Sequence, residues 1–473
     1  MNVIGKYDPD FLPGEWAMYP DSACAAERKS PPLDALYPER NDYLRLDPRR
    51  YFDKDFAAKE WAAIWSKTWI CAGRESDARK PGQWFRFDLG HESFVIMRGD
   101  DGVLRALANV CQHRGRRLVT ADFGLNGRLV CGFHSWCYGS KGENIRVTDR
   151  QFFQKDALSG NLDLPVIRCE TWGGFVFINL DPEAAPLLEF LDELPGIFEA
   201  YRLEDMHIVK EVEVSVNCNW KVANEAFLEP YHTHITHPQI MSMVDEVHAQ
   251  YDYYKNGHSR VINALSIPSP RQDDRETLSP GHLFALECAG VDPSTFKGSA
   301  RDIRAALLAA KRQPDNPFGL DYARYSDGQL VDNWNPGIFP NICINALPES
   351  VQFMRFLPDA NDPSRCRMNV MTLMPKTRDG VRPSPFFGVG ADDDVSGNTR
   401  PARVYTTQAA PGIGDVLEQD VSNMPEVQAG LESGRLKNGV RLSEQEQRVQ
   451  QFHAEIDRRL LAVGLTSLPA PEA

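Results

Sequence analysis

Cys111-Gln112-His113 and, after 17 intervening residues, Cys131-Gly132-Phe133-His134 place one thiol and one imidazole close together twice over. Four such side chains can hold a [2Fe–2S] cluster, with two thiolates on one iron and two imidazoles on the other. Replacing two thiolates by neutral imidazoles makes the cluster less negative and raises its potential to about −150 to +300 mV, against about −400 mV for an all-cysteine plant-type cluster. A Cys2His2 zinc site is the chemical rival. Zinc fingers pair cysteine with cysteine and histidine with histidine, whereas each pair here is mixed, which disfavours zinc. The bland alternative, two buried apolar thiols, leaves the matched spacing unexplained. Four prescribed positions of this kind arise by chance in roughly one chain in a thousand.

A second concentration lies in Asn219-Trp220-Lys221-Val222-Ala223-Asn224-Glu225-Ala226-Phe227-Leu228-Glu229-Pro230-Tyr231-His232-Thr233-His234-Ile235-Thr236-His237-Pro238, where three of the chain's eleven histidines fall within six residues. Glu229 and His232 are three apart, so a helix would put them on one face. His232 and His237 are five apart and can enter one pocket only if the helix bends or loosens between them. Two imidazoles and one carboxylate make the facial triad that holds Fe(II) with positions left open for O₂ and substrate. A late segment, Gly414-Asp415-Val416-Leu417-Glu418-Gln419-Asp420-Val421 followed by Glu426-Val427-Gln428-Ala429-Gly430-Leu431, offers Asp420. From local residues alone Asp420 reads as a solvated helix-face acid. Taken as a zinc cluster, His232, His234 and His237 lack the adjacent general base of an H-E-x-x-H helix. His234 is offset to another side of the helix, which suits solvent or a supporting contact. Asp415 and Glu418 read as surface acids.

Cys111-Gln112-His113-Arg114-Gly115 and Cys131-Gly132-Phe133-His134-Ser135-Trp136 resemble the two loops of a Rieske domain, of the type found in Rieske non-heme iron oxygenases. Respiratory Rieske proteins carry an extra cysteine in each loop. Cys137 has no counterpart in the first loop and reads as a buried thiol. The Asn-Trp-Lys opening, the Glu-x-x-His-x4-His core and the late Gln-Asp segment resemble the catalytic domain of the same family's terminal oxygenase α-subunits. The resemblance implies Cys111, His113, Cys131 and His134 as ligands of a [2Fe–2S] cluster, and His232, His237 and Asp420 as ligands of a mononuclear Fe(II). It implies Glu229 as the carboxylate that carries electrons between neighbouring subunits, hydrogen-bonded to His134 on one side and His232 on the other. Glu, where most ring dihydroxylases have Asp, is similar to the branch acting on quaternary amines and N-alkyl substrates. Relatives read Glu-Asn upstream of the bridge; this chain has Glu225-Ala226, which leaves the surroundings of the iron open.

The elements that must position these groups follow from periodicity. Residues 1–45 are rich in Pro, Asp and Tyr and read as an extended arm. Lys54 to Thr68 reads as a short amphipathic helix. From Trp69 to Asn179, short alternating runs such as Ser93-Phe94-Val95-Ile96-Met97 separated by Gly and Asp predict a small all-β module. Leu187 to Arg202 and Asn219 to His237 read as helices, Ile208 to Val216 as a strand, and Ile342 to Leu347, Val351 to Leu357 and Arg367 to Met374 as antiparallel strands. Ser443 to Val463 closes as an amphipathic helix, and 268–282 and 376–403 read as loops. The expected class is α+β, with an arm over 1–45, a Rieske domain with its leading helix over 46–179, and a helix-grip-like catalytic domain of antiparallel sheet and helices over 180–473. An apolar pocket is expected from Met241, Met243, Val244, Phe353, Met354, Phe356 and Trp334 to Ile338.

Composition narrows the function classes. The 473 residues carry 52 Lys+Arg against 66 Asp+Glu, a net charge of −14. An acidic chain argues against a nucleic-acid binder and against polybasic membrane attachment. No apolar run reaches the roughly 18 residues of a membrane span, and the N-terminus has no apolar signal region, so a cytoplasmic location is expected. No glycine-rich dinucleotide fingerprint follows a strand, so electrons are expected from a separate NAD(P)H-dependent reductase, with or without a ferredoxin. Arg114, Arg116, Arg117 and Arg128 flank the cluster loops as a candidate basic collar for an acidic ferredoxin. The expected function is the terminal oxygenase of such a system, a homotrimer, α3 or α3β3, acting on a small organic molecule with O₂. Monooxygenation ending in N- or O-dealkylation is favoured; cis-dihydroxylation of an aromatic ring is the alternative. An electron-transfer Rieske protein without oxygenase chemistry, or a zinc hydrolase, would be readings of another class.

Overall fold

The computed structural model describes residues 33–38, 43–382 and 387–468, so most of the expected arm lies outside the described residues. The chain divides into two compact units, 58–195 with 358–361, and the remainder.

The smaller unit is built mainly of β-strands around the loops that carry Cys111 and Cys131. Strands β1 (Ile70–Arg74), β2 (Gln83–Leu89), β3 (Glu92–Arg98), β4 (Leu104–Ala108), β5 (Phe123–Leu125), β9 (Val166–Trp172) and β10 (Phe175–Asn179) form one sheet in the order β1-β10-β9-β4-β3-β2-β5. A second, three-stranded sheet joins β6 (Leu129–Val130), β7 (Cys137–Tyr138) and β8 (Asn144–Arg146). Its core contains Trp84, Val95, Met97, Leu107, Leu129, Trp136 and Tyr138, and Cys111 and Cys131 are buried in that same cluster. The predicted helix from Lys54 is real, but its last part, Trp61–Trp65, loosens into a π-type turn.

The larger unit is built on an eight-stranded sheet. In chain order its strands are β11 (His207–Val216), β12 (Val244–Tyr253), β13 (Ser259–Leu265), β14 (Asn333–Ile338), β15 (Ile342–Leu347), β16 (Ser350–Pro358), β17 (Cys366–Met374) and β18 (Arg403–Thr407). They are ordered β12-β13-β14-β15-β16-β17-β11-β18, antiparallel through β13 to β16 and ending in a parallel pair, β11 with β18. The pairings Ser259↔Gly337, Gly337↔Cys343, Cys343↔Met354 and Asn345↔Gln352 place these residues on one face of the sheet. Helices α1 (Trp220–Glu225) and α7 (Gln447–Ala462) cover that face. From α1, Asn224 accepts from Cys343 Sγ at 3.7 Å; from α7, Gln451 donates to the His258 carbonyl at 2.8 Å. On the opposite face the buried Glu211 is gripped by Arg400 and Arg403. Burial opposes its charge, but the arginines win and hold its carboxyl down at about 2.

Further helices of this unit include α2 (Thr233–Thr236), α3 (Pro280–Cys288), α4 (Ile303–Lys311), α5 (Asp327–Val331) and α6 (Asp415–Glu432). Three expectations change. The helix read over Leu187 to Arg202 is interrupted: Leu187–Leu191 stops at Asp192, whose φ is 54°, a second short helix runs Leu194–Phe198, and a 3-10 turn, Glu199–Tyr201, follows. The single helix predicted over Asn219 to His237 is broken: α1 ends at Glu225, and α2 begins at Thr233 after a turn containing Pro230. Proline removes an amide donor and disfavours helix in the residue before it. The loop read over 268–282 gives way at Pro280 to α3, which starts on a Ser279 capping box and a first-turn proline.

Candidate metal centres

Each cluster loop is closed by the same pair of backbone hydrogen bonds. Cys111 N donates to Arg116 O at 2.9 Å, and Gly115 N to Cys111 O at 3.0 Å. Twenty positions on, Cys131 N donates to Trp136 O at 2.8 Å, and Ser135 N to Cys131 O at 2.9 Å. The fourth residue after each cysteine turns left-handed, Gly115 at φ 74° and Ser135 at φ 60°. Glycine takes that region freely; serine does so at a cost. Gly132 instead leaves room for the Arg116 guanidinium, which its Cβ would meet at 2.9 Å.

The loops bring two thiols and two imidazoles together. The His113 and His134 rings lie edge to face with centroids 4.6 Å apart, and Trp136 stacks on His113 at 4.9 Å. Both Nδ1 atoms are buried without a protein partner. Buried polar atoms of this kind need a bonding partner, and iron bound through Nδ1 fits that requirement. The Tyr138 hydroxyl lies 3.4 Å from Cys111 Sγ and also accepts from Gln112 N at 2.9 Å. Burial pushes the Cys111 thiol up. Burial also opposes the Cys131 thiolate, but the amides of Phe133 and His134 outweigh it and move that group down.

The second centre is assembled from distant pieces. His232 and His237 are the residues that flank α2 as its N- and C-caps, and Asp420 comes from the second turn of α6. Asp420 Oδ1 lies 3.3 Å from His232 Nε2 and 3.0 Å from His237 Nε2. One ligand atom from each residue falls within 4.8 Å of the others. His237 and Asp420 are buried, with side chains 4 % exposed. Each imidazole is fixed by its other nitrogen. His232 Nδ1 donates to Glu229 Oε1 at 2.6 Å, while the His232 amide donates to Glu229 Oε2 at 3.0 Å. His237 Nδ1 donates to Gln419 Oε1 at 2.7 Å, and Gln239 Nε2 donates to that same oxygen at 2.8 Å. A carboxylate and an amide oxygen only accept, so each Nδ1 carries a proton and each Nε2 is the nitrogen left to face Asp420, where a bound cation would take its lone pair. Burial disfavours a charged His232, yet Asp420 and Glu229 raise it to about 10. A cation taking Nε2 displaces that proton.

His234 stays outside this group, its Nδ1 donating to the Tyr231 carbonyl at 2.8 Å on the exposed side. Glu225 turns to other partners: Tyr51 donates to it at 3.0 Å and His453 Nε2 at 2.8 Å. Asp415 is exposed, and Glu418 accepts from the amides of Ile413 and Gly414, capping the start of α6. Of the collar arginines, Arg117 reaches Asp88 at 3.6 Å and Arg114 lies over Phe133 at 5.0 Å. Sequence reasoning missed Gln419, although it adjoins Asp420, because an amide is silent in a search for ligands. It also missed the polar lining of the sheet. Met354 and Phe356 share the face toward α1 and α7, but so do Asn333, Asn335, Asn345 and Gln352, whereas Phe353 points to the other side. Among the described residues no helix is long and apolar enough to cross a membrane.

Family comparisons fall on both units. The model of the ring hydroxylating alpha subunit (catalytic domain) matches residues 203–462, and that of the Rieske [2Fe-2S] domain matches 68–154. The carnitine monooxygenase oxygenase subunit of Escherichia coli is 30% identical over 311 residues, 62% of this chain and 74% of that protein. The large oxygenase component of the 2,4-dinitrotoluene dioxygenase system of a Burkholderia species is 32% identical over 40% of this chain and 44% of its own length. The glycine betaine monooxygenase oxygenase subunit of Chromohalobacter salexigens is 28% identical over 48% and 50%. The chain thus spans about half the length of the last two relatives. Among solved structures, naphthalene 1,2-dioxygenase from a Rhodococcus species bound to indole superposes with a TM-score of 0.59 at 16% identity, covering 91% of this chain and 98% of that one. The quaternary ammonium Rieske monooxygenase CntA with L-carnitine does so at 0.58 and 18%, covering 87% and 95%. These two likenesses speak for the fold. With its catalytic-domain match covering more than half of its length, the chain belongs to the ring-hydroxylating α-subunit family and carries that family's Rieske [2Fe–2S] domain ahead of a mononuclear-iron catalytic domain.

Proposed function

We propose that the protein is the terminal oxygenase of a multi-component Rieske system, acting on a small organic molecule. The observation that carries this is the convergence of His232 Nε2, His237 Nε2 and Asp420 within 4.8 Å, with both Nδ1 protons already committed to Glu229 and Gln419. In this reading Cys111, Cys131, His113 and His134 hold the [2Fe–2S] cluster, and His232, His237 and Asp420 hold Fe(II). When bound, the cluster supplies single electrons at raised potential, and the iron supplies open positions for O₂ and substrate.

The residues do the rest. Glu229 and Gln419 fix tautomer and ring orientation, the kind of support whose loss typically costs 10- to 100-fold in metal affinity. Asp420, buried at α6, brings one negative charge to balance a divalent ion between two neutral imidazoles. Glu229 is in addition the carboxylate we assign to electron transfer toward His134 of a neighbouring subunit. Its contact with His232 supports one half of that bridge. A homotrimer and an outside donor, ferredoxin or reductase, follow from the same reading, and the arginines beside the cluster loops suit an acidic donor.

Monooxygenation of an N- or O-alkyl group, released by dealkylation, is favoured over ring cis-dihydroxylation. Support comes from glutamate at 229 and from relatives named as carnitine and glycine betaine monooxygenases. The relative named as a 2,4-dinitrotoluene dioxygenase component keeps the second outcome specific. The test is iron content together with O₂ uptake by the reconstituted system over N-alkyl, O-alkyl and aromatic-acid compounds. About three irons per chain and substrate-dependent uptake are expected. An aldehyde among the products marks dealkylation, a cis-diol marks ring attack, and two irons with no uptake overturn the reading.

A further inference from the structure

Arg448, near the start of α7, is fully buried at 0% exposed. Its Nε donates to Ser259 Oγ at 2.9 Å and its Nη1 to Asn335 Oδ1 at 2.8 Å, both neutral acceptors. Its Nη2 is buried and meets no acceptor among the described residues. Other buried arginines of this unit are matched to carboxylates: Arg50 to Asp457 at 2.7 Å, Arg260 to Asp252 at 2.6 Å, Arg304 to Asp332 at 2.7 Å. An uncompensated buried cation is among the costliest things a fold can hold. Burial presses this guanidinium toward losing its proton.

Its place points to what it is for. A Cβ on Gly337 would lie 2.9 Å from Arg448 Nη2 and 3.2 Å from Leu228 Cδ2, so glycine leaves this room to the guanidinium. Leu228 adjoins Glu229, which holds His232. The sheet face beneath is lined by amides in a chain. Asn335 and Asn333 donate to Asn345 Oδ1 at 2.9 and 3.1 Å, and Asn345 donates to Gln352 at 3.2 Å. This chain is incomplete as well: Asn333 Oδ1, Asn263 Oδ1 and Gln352 Nε2 are buried without partners. A sheet face built to meet only hydrocarbon would not carry such atoms.

We propose that Arg448 anchors the carboxylate of an anionic organic substrate, Nη2–H donating to a carboxylate oxygen, while the amide strip meets polar groups along the rest of the molecule. One uncompensated positive charge calls for a monoanion. The assignment rests on the oxygenase reading and sharpens it, since it excludes plain hydrocarbons and simple amines as the best substrates.

The test is anaerobic calorimetric titration of the iron-loaded protein with benzoate, phenylacetate and 4-methoxybenzoate, each against its neutral carboxamide. At least one acid binds tenfold or more tightly than its amide, and the preference falls below threefold in Arg448→Gln. Because that variant removes a buried side chain, Asn335→Asp is the companion: it keeps the arginine and supplies the anion from within, and it abolishes the preference too. No preference in the wild type, or one that survives in either folded variant, overturns the proposal; an ordered water or chloride on Nη2 would give that result. Three irons and O₂ uptake with neutral compounds, without acid preference, sink the anchor alone. Two irons with the preference intact sink the oxygenase reading and leave the anchor.

Discussion

The two candidate metal centres are built on opposite plans. Around Cys111 and Cys131 one backbone device is used twice, the same two hydrogen bonds and the same left-handed fourth residue. Every proposed ligand there lies within a few residues of its partner. Around His232 the ligands come from a broken helix and from α6, and His237 meets Gln419 across 182 residues of chain. A local turn can offer its ligands as soon as it forms. The triad exists only once the α+β body has folded, and its precision depends on side chains that touch no metal.

The largest expected effect separates the two plans. Asp420→Ala should abolish substrate-dependent O₂ uptake and lower iron from about three to about two per chain, with the visible spectrum of the cluster unchanged. Cys131→Ser should do the reverse, bleaching the spectrum while the triad still takes up one equivalent of iron. Joint loss of both metals in either variant would mean that the centres do not fold independently. A step smaller, Gln419→Leu removes the acceptor of His237 Nδ1 without touching a ligand atom. Iron affinity should fall about 10- to 100-fold, and Gln419→Glu should restore most of it. Equal affinity in wild type and Gln419→Leu would show that His237 needs no such support.

This contrast also explains what could be read from the chain. The cluster loops were legible because ligand identity and geometry are both local: Cys-x-His and Cys-x-x-His sit within turns, and glycines mark them. The β-module and strands such as Ile342–Leu347 were legible for the same reason, through alternation. Asp420 became legible only through family resemblance, since an acid on an amphipathic helix is ordinary. The helix through Glu229 was overdrawn because periodicity continued past Pro230, where the backbone cannot. Least legible was the polar face of the sheet. Asn333, Asn335 and Asn345 look like surface residues until the register turns them beneath α7.

Glu225 tests how far the catalytic body tolerates buried charge. Burial raises its carboxyl to about 8, against the lowering pull of the Tyr51 hydroxyl, Lys221 and Arg50. The folded protein therefore keeps a proton on Glu225 between about pH 4.5 and 8, where the unfolded chain has released it. The group's contribution is fully present at low pH and is lost as pH rises toward 8. His453 runs the other way: burial, with Arg50 and Lys221, holds it well below its ordinary value, so stability falls as acid protonates the unfolded chain near pH 6.5. Glu225→Gln should leave the acid-side loss in place and remove the alkaline-side one. In urea titrations at pH 5.5 and 8, the variant should gain on the wild type at pH 8; an unchanged difference would mean that Glu225 is ionised in the fold.

The smallest effect probes the repeated turn itself. Gly115 stands at φ 74° with no atom within 4 Å of where a Cβ would go, so Gly115→Ala has no steric cost beyond the backbone. That change should destabilise the holoprotein by about 1 kcal/mol. Ser135 already bears this cost at φ 60°. Ser135→Gly relieves it but adds freedom to the unfolded chain, and the two terms nearly cancel, leaving a change within about 0.5 kcal/mol. Guanidinium denaturation followed through cluster absorbance measures both. Equal losses in the two variants would show that the second loop is held by something other than its backbone turn, and the stacking of Trp136 on His113 would then be the contact to remove next.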